Sequence, residues 1–420
     1  MDEKLQSKGP VGLTSENETN TNLTDTAPHM PIIAVTGTNG KTTTTRLVAY
    51  IMNQAGFKVG FNCSDGIYIE GALVETGDCS GPVSASFVLE NENIDFAVLE
   101  CARGGILRAG LAFNHCEVAI ITNVAEDHLD LKGINTLQQL ADVKSIVALA
   151  VKPDGYAILN ADDDLVYAIQ KKLSCNVAYF SHFPDNQRIV AHCAKGGIAI
   201  VPENGGLTIL RGSEKIWVAP FSDIPLTFNG KADFNISNAM AAVLASYLVG
   251  VNLEDIRTAL LHFVPSVALT PGRMNSFQFR NFSVIVDFAH NPHGMKAISK
   301  LVASFDASVK IGIIAGTGDR RDEDIIHLAE EAATIFDELI IRQDVSLRGR
   351  PGQEIIDLVL RGIHNIDPSK KTTIIEQESE AIDFAFKNAP KGSLIFITSD
   401  MILNAVTYVQ QLKEKEETLP

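Results

Sequence analysis

One stretch constrains the fold of this chain more than any other. It is an apolar run, Pro31–Val35, that ends in a glycine-containing turn, Thr-Gly-Thr-Asn-Gly-Lys-Thr over 36–42, and continues into a helical pattern, Thr42–Ala55. The apolar residues of the last segment recur on one side, which predicts an amphipathic helix. A unit of strand, turn and helix with this composition is typical of an α/β protein that binds phosphate.

The turn is predicted to be a phosphate-binding loop, although Val35 stands where the common pattern has its first glycine. Backbone N–H groups at the start of a helix point at anionic oxygens. Lys41 would reach the β- and γ-phosphates, and the Thr42 hydroxyl would coordinate Mg²⁺. A glycine turn with a chance lysine is the alternative interpretation. The predicted nucleotide-binding residues of the loop are Thr38, Asn39, Gly40, Lys41, Thr42 and Thr43.

Apolar β-branched runs alternate with helical patterns along most of the chain, which favours a mostly parallel sheet covered by helices. Further strands are predicted over Ile94–Leu99 and Val118–Thr122, and antiparallel hairpins over 186–230. Pro and Gly residues around 264–272 predict a boundary, after which five short strands alternate with helices. The fold class is therefore α/β: a P-loop-type ATPase domain with an antiparallel hairpin insertion, then a smaller Rossmann-like, doubly wound domain. The predicted division is a flexible tail at 1–30, a central ATP-binding domain at 31–268 and a C-terminal domain at 269–420.

Composition excludes several classes of protein. The formal net charge is −16, which disfavours binding to nucleic acid or to an acidic membrane surface. No apolar run reaches membrane-spanning length. The six cysteines form no C-x-x-C pair, so neither a zinc ribbon nor a redox motif is indicated. A cytoplasmic protein with reduced cysteines is expected, with no nucleic-acid or membrane partner.

Polar residues follow two of the predicted strands. Glu100 ends the strand after Ile94, and ligands of open parallel sheets sit beyond the carboxyl ends of the strands. Glu100 is thus placed to hold a cation near the phosphates, although a glutamate at this position alone could be a solvated strand end. His128, with acids on both sides, suits a site for a divalent metal and phosphate. Lys144, judged on its local pattern alone, is a solvated helix lysine.

A series of motifs over 31–400 resembles the Mur ligase superfamily of ATP-dependent amide ligases, which includes the folylpolyglutamate synthetases. The stretches occur in the family's order. They are TGTNGKT at 36–42, the strand-end Glu100, TNVAEDHLD at 122–130 with Lys144 downstream, NISNAMAA at 235–242, PGR at 271–273, DFAHNP at 287–292 and GTGDR at 316–320.

The resemblance implies roles for the matching positions. The catalytic residues would be Lys41, Glu100, His128 and Lys144. Two Mg²⁺ ions would be bound by Thr42, Glu100, His128 and Lys144, the last in a carbamylated form that many members of the family carry. ATP would also be contacted by Asn238, Arg273, Asp287 and His290.

Within the superfamily, other stretches resemble the Mur-ligase-like half of cyanophycin synthetases. These stretches are SDGIYI at 64–69, GDCSGPVSA at 77–85, ECARGGILRAGL at 100–111 and DVSLRGR at 344–350. Arginine binds carboxylate in a bidentate fork, so we expect substrate carboxylates at the arginines of these stretches, which could otherwise pair with structural acids. The predicted substrate residues are Arg103, Arg108, Arg348 and Arg350.

The predicted activity is ATP-dependent amide ligation through an acyl-phosphate, joining arginine or a similar amino acid to an aspartate side-chain carboxylate. The expected partners are amino-acid and carboxylate-bearing peptide substrates, a separate ATP-grasp ligase chain and further copies in a homo-oligomer. The phosphate loop begins too near the N-terminus for a UDP-sugar-binding domain, so a UDP-linked substrate is disfavoured. Alternatives are a pseudomurein-type or polyglutamate-type ligase, a P-loop kinase or NTPase, and a subunit that binds ATP without chemistry.

Overall fold

The computed structural model describes residues 30–127, 129, 133–344 and 347–418. Residues 1–29 of the predicted tail at 1–30, His128 and two residues of the 344–350 stretch therefore lie outside the described residues. A sheet of eleven strands covers the first half of the chain. Its strands are β1 (Ile32–Thr36), β2 (Val59–Cys63), β3 (Gly66–Ile69), β4 (Ala72–Thr76), β5 (Phe96–Glu100), β6 (Cys116–Ile121), β7 (Val151–Asn160), β8 (Asn176–Phe180), β9 (Ile198–Glu203), β10 (Gly206–Arg211) and β11 (Glu214–Pro220).

The order across this sheet is β11-β10-β9-β8-β7-β6-β1-β5-β2-β3-β4. The strands from β9 through β2 pair in parallel, and the two ends of the sheet are antiparallel. β1 lies between β5 and β6, so the carboxyl ends of these three strands meet at one edge. The loop after β1, Glu100 and the segment after β6 are thereby brought together, as the strand-end argument predicts.

A second sheet of six strands follows, in the order β12-β13-β17-β14-β15-β16. β12 pairs antiparallel with β13, and the other pairings are parallel. The strands are β12 (Asn275–Gln278), β13 (Phe282–Asp287), β14 (Lys310–Ile314), β15 (Glu338–Ile341), β16 (Lys371–Ile374) and β17 (Ser393–Thr398).

Helices cover both sheets. Those associated with the first sheet are α1 (Lys41–Gln54), α2 (Pro82–Leu89), α3 (Arg103–Ala109), α4 (Leu137–Leu149), α5 (Asp164–Ala168), α6 (Gln187–Cys193), α7 (Asp233–Leu248) and α8 (Leu253–His262). Those of the second are α9 (Pro292–Ala303), α10 (Asp322–Ile335), α11 (Gly352–Ile366), α12 (Glu378–Asn388) and α13 (Ile402–Thr418). In the part of the chain that the structure describes, no helix is long and apolar enough to cross a membrane.

The predicted α/β fold is confirmed, and the antiparallel hairpins form at 198–220, where β9 pairs in parallel with β8 and joins them to the main sheet. One detail differs from the expectation. Strands β2, β3, β4 and β12 were not predicted. β2 is short and contains Gly60 and Asn62, and β4 is exposed throughout, so neither shows the apolar run of a buried strand.

The cysteines and one helix cap agree with the sequence. All six cysteines are free, and five of them are buried. Asn252 caps α8, where its side chain accepts a hydrogen bond from the Asp255 backbone N–H.

Candidate active site

The phosphate loop joins β1 to α1 and is anchored to the segment that follows β6. The Thr38 N–H donates to the Asn123 carbonyl at 2.9 Å, and the Asn39 N–H donates to the Asn123 side chain at 3.0 Å. The Lys41 ammonium donates to the Thr38 carbonyl at 2.8 Å, within its own loop. The loop is therefore held in shape by the parallel sheet, with the start of α1 and Lys41 directed to the same space.

Gly40 ends the loop in the left-handed region, with φ of 85°. A Cβ atom there would lie 2.3 Å from the side-chain oxygen of Asn238 on α7. That amide is buried, donates to Asn235 at 3.1 Å and accepts from Thr44 at 3.4 Å. Only glycine fits between the loop and Asn238, so the predicted adenine-binding helix lies directly against the loop.

Gly40→Ala is expected to lower the melting temperature and to weaken ADP binding by roughly tenfold, about the effect of losing one buried hydrogen bond. The left-handed backbone alone costs about 1–2 kcal/mol for an L-residue, and the Cβ also displaces Asn238. Gly56→Ala is the matched control, because Gly56 has φ of 91° and a Cβ there meets no heavy atom within 4 Å. Calorimetric titration with ADP measures the difference, and equal affinities in the two variants would contradict the expectation.

Four side chains from four segments meet beside the loop. The Thr42 hydroxyl donates to a Glu100 carboxylate oxygen at 2.9 Å, and the same oxygen accepts the Ser64 N–H at 3.2 Å. The Ser64 hydroxyl lies 2.9 Å from that of Thr42 and accepts from the Arg273 guanidinium at 3.0 Å. Burial raises the pKa of Glu100, and the charges of Lys41 and Arg273 and the Thr42 hydrogen bond oppose that rise.

The donor set of this cluster fits a hard cation next to phosphate. Carboxylate and hydroxyl oxygens of Glu100, Thr42 and Ser64 are the ligand types that Mg²⁺ takes from proteins. One terminal nitrogen of Arg273 is buried without a hydrogen-bond partner among the described residues, as a donor reserved for an anionic oxygen would be. No group of three or more His, Cys, Asp or Glu side chains suited to a metal occurs within the described ranges. The predicted set is of another kind, since it combines a hydroxyl, a carboxylate, a lysine and His128.

Lys144 on α4 is buried, which contradicts its interpretation as a solvated lysine. Burial and the charge of Lys41 hold the pKa of Lys144 well below its usual range, the charge of Arg103 acts in the same direction, and Asp127 opposes them. A helix-stripe argument could have found it, since Leu140, Lys144 and Val147 share one buried face. Because its ammonium form is disfavoured, Lys144 more readily supplies an unprotonated, nucleophilic amine than an exposed lysine does.

The predicted nucleotide contacts from the second half of the chain lie at the same cavity. Both carboxylate oxygens of Asp287 accept backbone N–H groups, from Met274 and Ala289, each at 2.9 Å. Burial raises the pKa of Asp287, and Arg273 opposes this. His290 donates from Nδ1 to the Phe288 carbonyl at 2.9 Å. Asp287 therefore shapes the turn that presents His290 to the cavity.

The four predicted substrate arginines divide into two groups. Arg103 and Arg108 on α3 line the cavity, as does Arg348, which pairs with Asp319 at 3.2 Å. Burial lowers the pKa of Arg103, and the charge of Arg320 adds to this, while Asp127 and Asp319 oppose it. Arg350 is not among the described residues that line the cavity. Its guanidinium donates hydrogen bonds to the carboxylates of Asp322 and Glu354 at 2.7 and 2.5 Å.

A buried arginine connects the loop region to the segment between the two sheets. The Arg46 guanidinium, on α1, binds the Asp65 carboxylate and the Tyr68 hydroxyl. It also donates to the Leu269 carbonyl at 3.2 Å and stacks over the Tyr68 ring at 4.4 Å. Asp65 is adjacent to Ser64 in the chain, so the contact of Arg46 with Asp65 helps to hold Ser64 in its position. Neither Ser64 nor Arg46 was predicted.

The phosphate loop, the Glu100 cluster, Lys144 and the turn with Asp287 and His290 open onto one cavity of about 1760 Å³, whereas Arg46 and Arg350 do not line it. That volume exceeds the 300–1,000 Å³ of an ordinary ligand pocket, so a nucleotide and a second ligand fit together. The members of the predicted site that line it are Thr38, Asn39, Gly40, Lys41, Thr42, Thr43, Glu100, Arg103, Arg108, Lys144, Asn238, Arg273, Asp287, His290 and Arg348.

Two family models match the chain. The model of the Mur ligase middle domain covers residues 35–246, and that of the Mur ligase glutamate ligase domain covers residues 272–401. The chain belongs to the Mur ligase family. As a Mur ligase, it is an enzyme of the class that forms carbon–nitrogen bonds.

A relative of similar sequence and two solved structures of similar fold accompany the family match. The cyanophycin synthetase of Geminocystis herdmanii is 45% identical over 382 residues, which are 91% of this chain and 44% of the relative. The chain thus spans less than half the length of the cyanophycin synthetases that it matches. E. coli FolC in complex with DHPP and ADP is 17% identical, with a TM-score of 0.67 and coverage of 92% and 89%. A bifunctional folylpolyglutamate synthase/dihydrofolate synthase with Mn, AMPPNP and L-glutamate is 19% identical, with a TM-score of 0.65 and coverage of 91% and 89%.

Proposed function

We propose that this Mur ligase uses ATP to join the amine of arginine, or of a similar amino acid, to an aspartate side-chain carboxylate of a peptide. The observation that carries the proposal is the single cavity that holds Lys41, Glu100, Lys144 and Arg103 together. The identity of 45% to a cyanophycin synthetase supports this choice of substrates. The ADP, AMPPNP and Mn of the two synthase structures support ATP and a divalent ion.

A carboxylate does not react with an amine in water at a useful rate, because its oxygen is a poor leaving group. The phosphate loop and Lys41 would hold the ATP phosphates while the substrate carboxylate attacks the γ-phosphorus. The resulting acyl-phosphate carries a good leaving group, and the amine then displaces phosphate to form the amide. Arg103 and Arg108 would bind the acceptor's other carboxylates, and Lys41 and the loop N–H groups would stabilise developing negative charge.

Two Mg²⁺ ions complete the proposal. Thr42 and Glu100 would hold one ion, together with Ser64, and His128 and Lys144 would hold the other. When bound, the ions spread the charge of phosphoryl transfer. The lowered pKa of the buried Lys144 amine favours carbamylation, in which the unprotonated amine adds to CO₂ with loss of a proton to give a carboxylate-like group. The two-domain division at 268–269, the ATP-grasp partner and a homo-oligomeric assembly remain further parts of this proposal.

The test is to incubate purified protein with ATP, Mg²⁺, an aspartate-containing peptide and a panel of amino acids, and to identify products by mass spectrometry. We expect the mass of the peptide plus arginine less one water, and phosphate release only when peptide and amine are both present. With ¹⁸O in the peptide carboxylate, one labelled oxygen should appear in the released phosphate, because the acyl-phosphate bond breaks at carbon.

The outcomes separate the alternatives. Amide formation with glutamate or lysine in place of arginine would indicate a polyglutamate-type or pseudomurein-type ligase. Phosphate transfer to a hydroxyl without an amide would indicate a kinase. ATP binding without turnover on any substrate would indicate a subunit that lacks chemistry.

A further inference from the structure

The phosphate loop contacts the second sheet's first helix through one side chain. The amide nitrogen of Asn39 donates to the side-chain oxygen of Asn291 at 3.3 Å, and the amide nitrogen of Asn291 donates to the side-chain oxygen of Asn39 at 3.0 Å. The same Asn39 nitrogen lies 2.9 Å from Nδ1 of His293. This reciprocal amide pair joins residues 252 positions apart in the chain.

The backbone of Asn39 is already fixed by the first sheet. Its N–H donates to the Asn123 side chain, and its carbonyl accepts from the Thr122 hydroxyl at 2.7 Å and from Asn123 at 3.1 Å. Because both backbone groups are bonded on one side, the side chain is directed to the other side, toward α9. The contact with Asn291 is therefore a defined position of the loop.

Asn291 is equally constrained on its own side. It is buried, it caps the N-terminus of α9, and its side-chain oxygen accepts the Gly294 N–H at 2.7 Å. α9 follows the turn that carries Asp287 and His290. A displacement of α9 relative to the loop would thus separate the phosphate site from these groups and leave buried amide atoms without partners.

We propose that Asn39, Asn291 and His293 form a latch that registers the second sheet against the phosphate loop, and that they act as positioning residues for ligation. The latch holds Asp287 and His290 at the cavity without contacting the reacting atoms. The role in ligation rests on the proposed function, whereas the latch contact itself does not. Positioning of this kind affects turnover more than nucleotide affinity.

The kinetic test is a double-mutant cycle with Asn39→Ala and Asn291→Ser. Serine retains an acceptor for the helix cap but is too short to reach Asn39. We expect each single variant to lower kcat about tenfold, and the double variant to lower it about tenfold rather than a hundredfold, because both break one contact. In Asn291→Ser, the Kd for ADP should stay within about threefold of the wild type, because Asn291 is not among the predicted nucleotide-binding residues. Asn365→Ala, which removes an exposed amide that bonds Glu330 on α10, is the control and should keep full activity.

A second measurement detects the latch without activity. In ligand-free protein, hydrogen–deuterium exchange of the peptide covering 291–297 should accelerate several-fold in Asn39→Ala and remain unchanged in Asn365→Ala. Unchanged exchange in Asn39→Ala would overturn the latch. The positioning role would be overturned if the double variant lowered kcat by the product of the two single effects, or if the single variants kept the wild-type kcat. A wild-type protein that forms no amide would refute the proposed function instead, and the exchange result would still decide whether the latch exists.

Discussion

Lys144→Met should abolish ligation and also raise the melting temperature of the metal-free protein. Burial and the charge of Lys41 disfavour the ammonium form of Lys144 in the folded state, whereas the unfolded chain keeps the proton at neutral pH without this penalty. Methionine fills a similar volume without this penalty. An increase of at least about 2–4 °C is expected, the shift that corresponds to 1 kcal/mol in a domain of 150–250 residues. Ligation should fall at least about a hundredfold if the carbamate is required.

The stabilisation should depend on pH with a definite sign. Between the lowered folded pKa of Lys144 and its ordinary pKa near 10.4, the unfolded state binds one proton more than the folded state. The stability of the wild type therefore rises with pH through this group by about 1.4 kcal/mol per pH unit. Lys144→Met lacks this contribution, so its advantage should shrink as the pH rises toward 10.

Thermal unfolding from pH 7 to pH 10, in CO₂-free buffer with a chelator, measures this difference. Lys215→Met serves as the control, because Lys215 is an exposed lysine on β11 that pairs with Glu203. The control should keep both its activity and the pH dependence of the wild type. A Lys144→Met protein that is less stable than the wild type at pH 7 would show that the amine is held in its charged form.

Lys41→Met should lower kcat/KM for ligation by about 10²–10³-fold, the usual effect of removing one donor to charge that develops in the transition state. The charge of Lys41 also lowers the pKa of Lys144 and opposes the rise of the Glu100 pKa. Its removal should therefore change the protonation equilibria of both groups. The fold should be retained, because among the described residues the Lys41 ammonium hydrogen-bonds to the Thr38 carbonyl of its own loop and does not connect separate elements.

To obtain kcat/KM for ATP, initial rates of phosphate release are measured at varied ATP with saturating peptide and arginine. Lys215→Met is again the control. The Lys41 variant should still bind ADP through the loop backbone, with weaker affinity. Retention of more than a tenth of the wild-type kcat/KM would show that Lys41 does not contact the transferred phosphoryl group.

The sequence carried much of the parallel architecture, because a buried parallel strand is a continuous apolar run that ends in a recognisable turn. The runs that became β1, β5 and β6 were each predicted to within two residues at either end. β2 was not, because Gly60 and Asn62 interrupt its apolar pattern, and Ser64 at its end was missed for the same reason. The signal for a strand-end residue is only as strong as the strand before it.

Side-chain environment was harder to predict than position. The residues next to Lys144 in the sequence do not indicate that it is buried. Its position on the same helix face as Leu140 and Val147 does indicate burial. The contact of Asn39 with Asn291 depends on how two sheets meet, which no local pattern encodes. The binding roles of the predicted site residues, including His128 and the arginines on α3, are still predictions.

The hydrogen bond from Arg46 to the Leu269 carbonyl fixes where the connection between the two sheets can bend. The Arg46 guanidinium on α1 binds both the Asp65 carboxylate and the Leu269 carbonyl. We therefore expect the connection up to Leu269 to remain fixed to α1 and the phosphate loop. Left-handed backbone occurs just beyond, at Gly272 and Met274, with φ of 60° and 57°. If the smaller sheet rotated relative to the larger one, we would expect the rotation to occur at residues 270–274. Arg273 lies within this segment, so it would move less than residues farther along the chain and would stay hydrogen-bonded to Ser64.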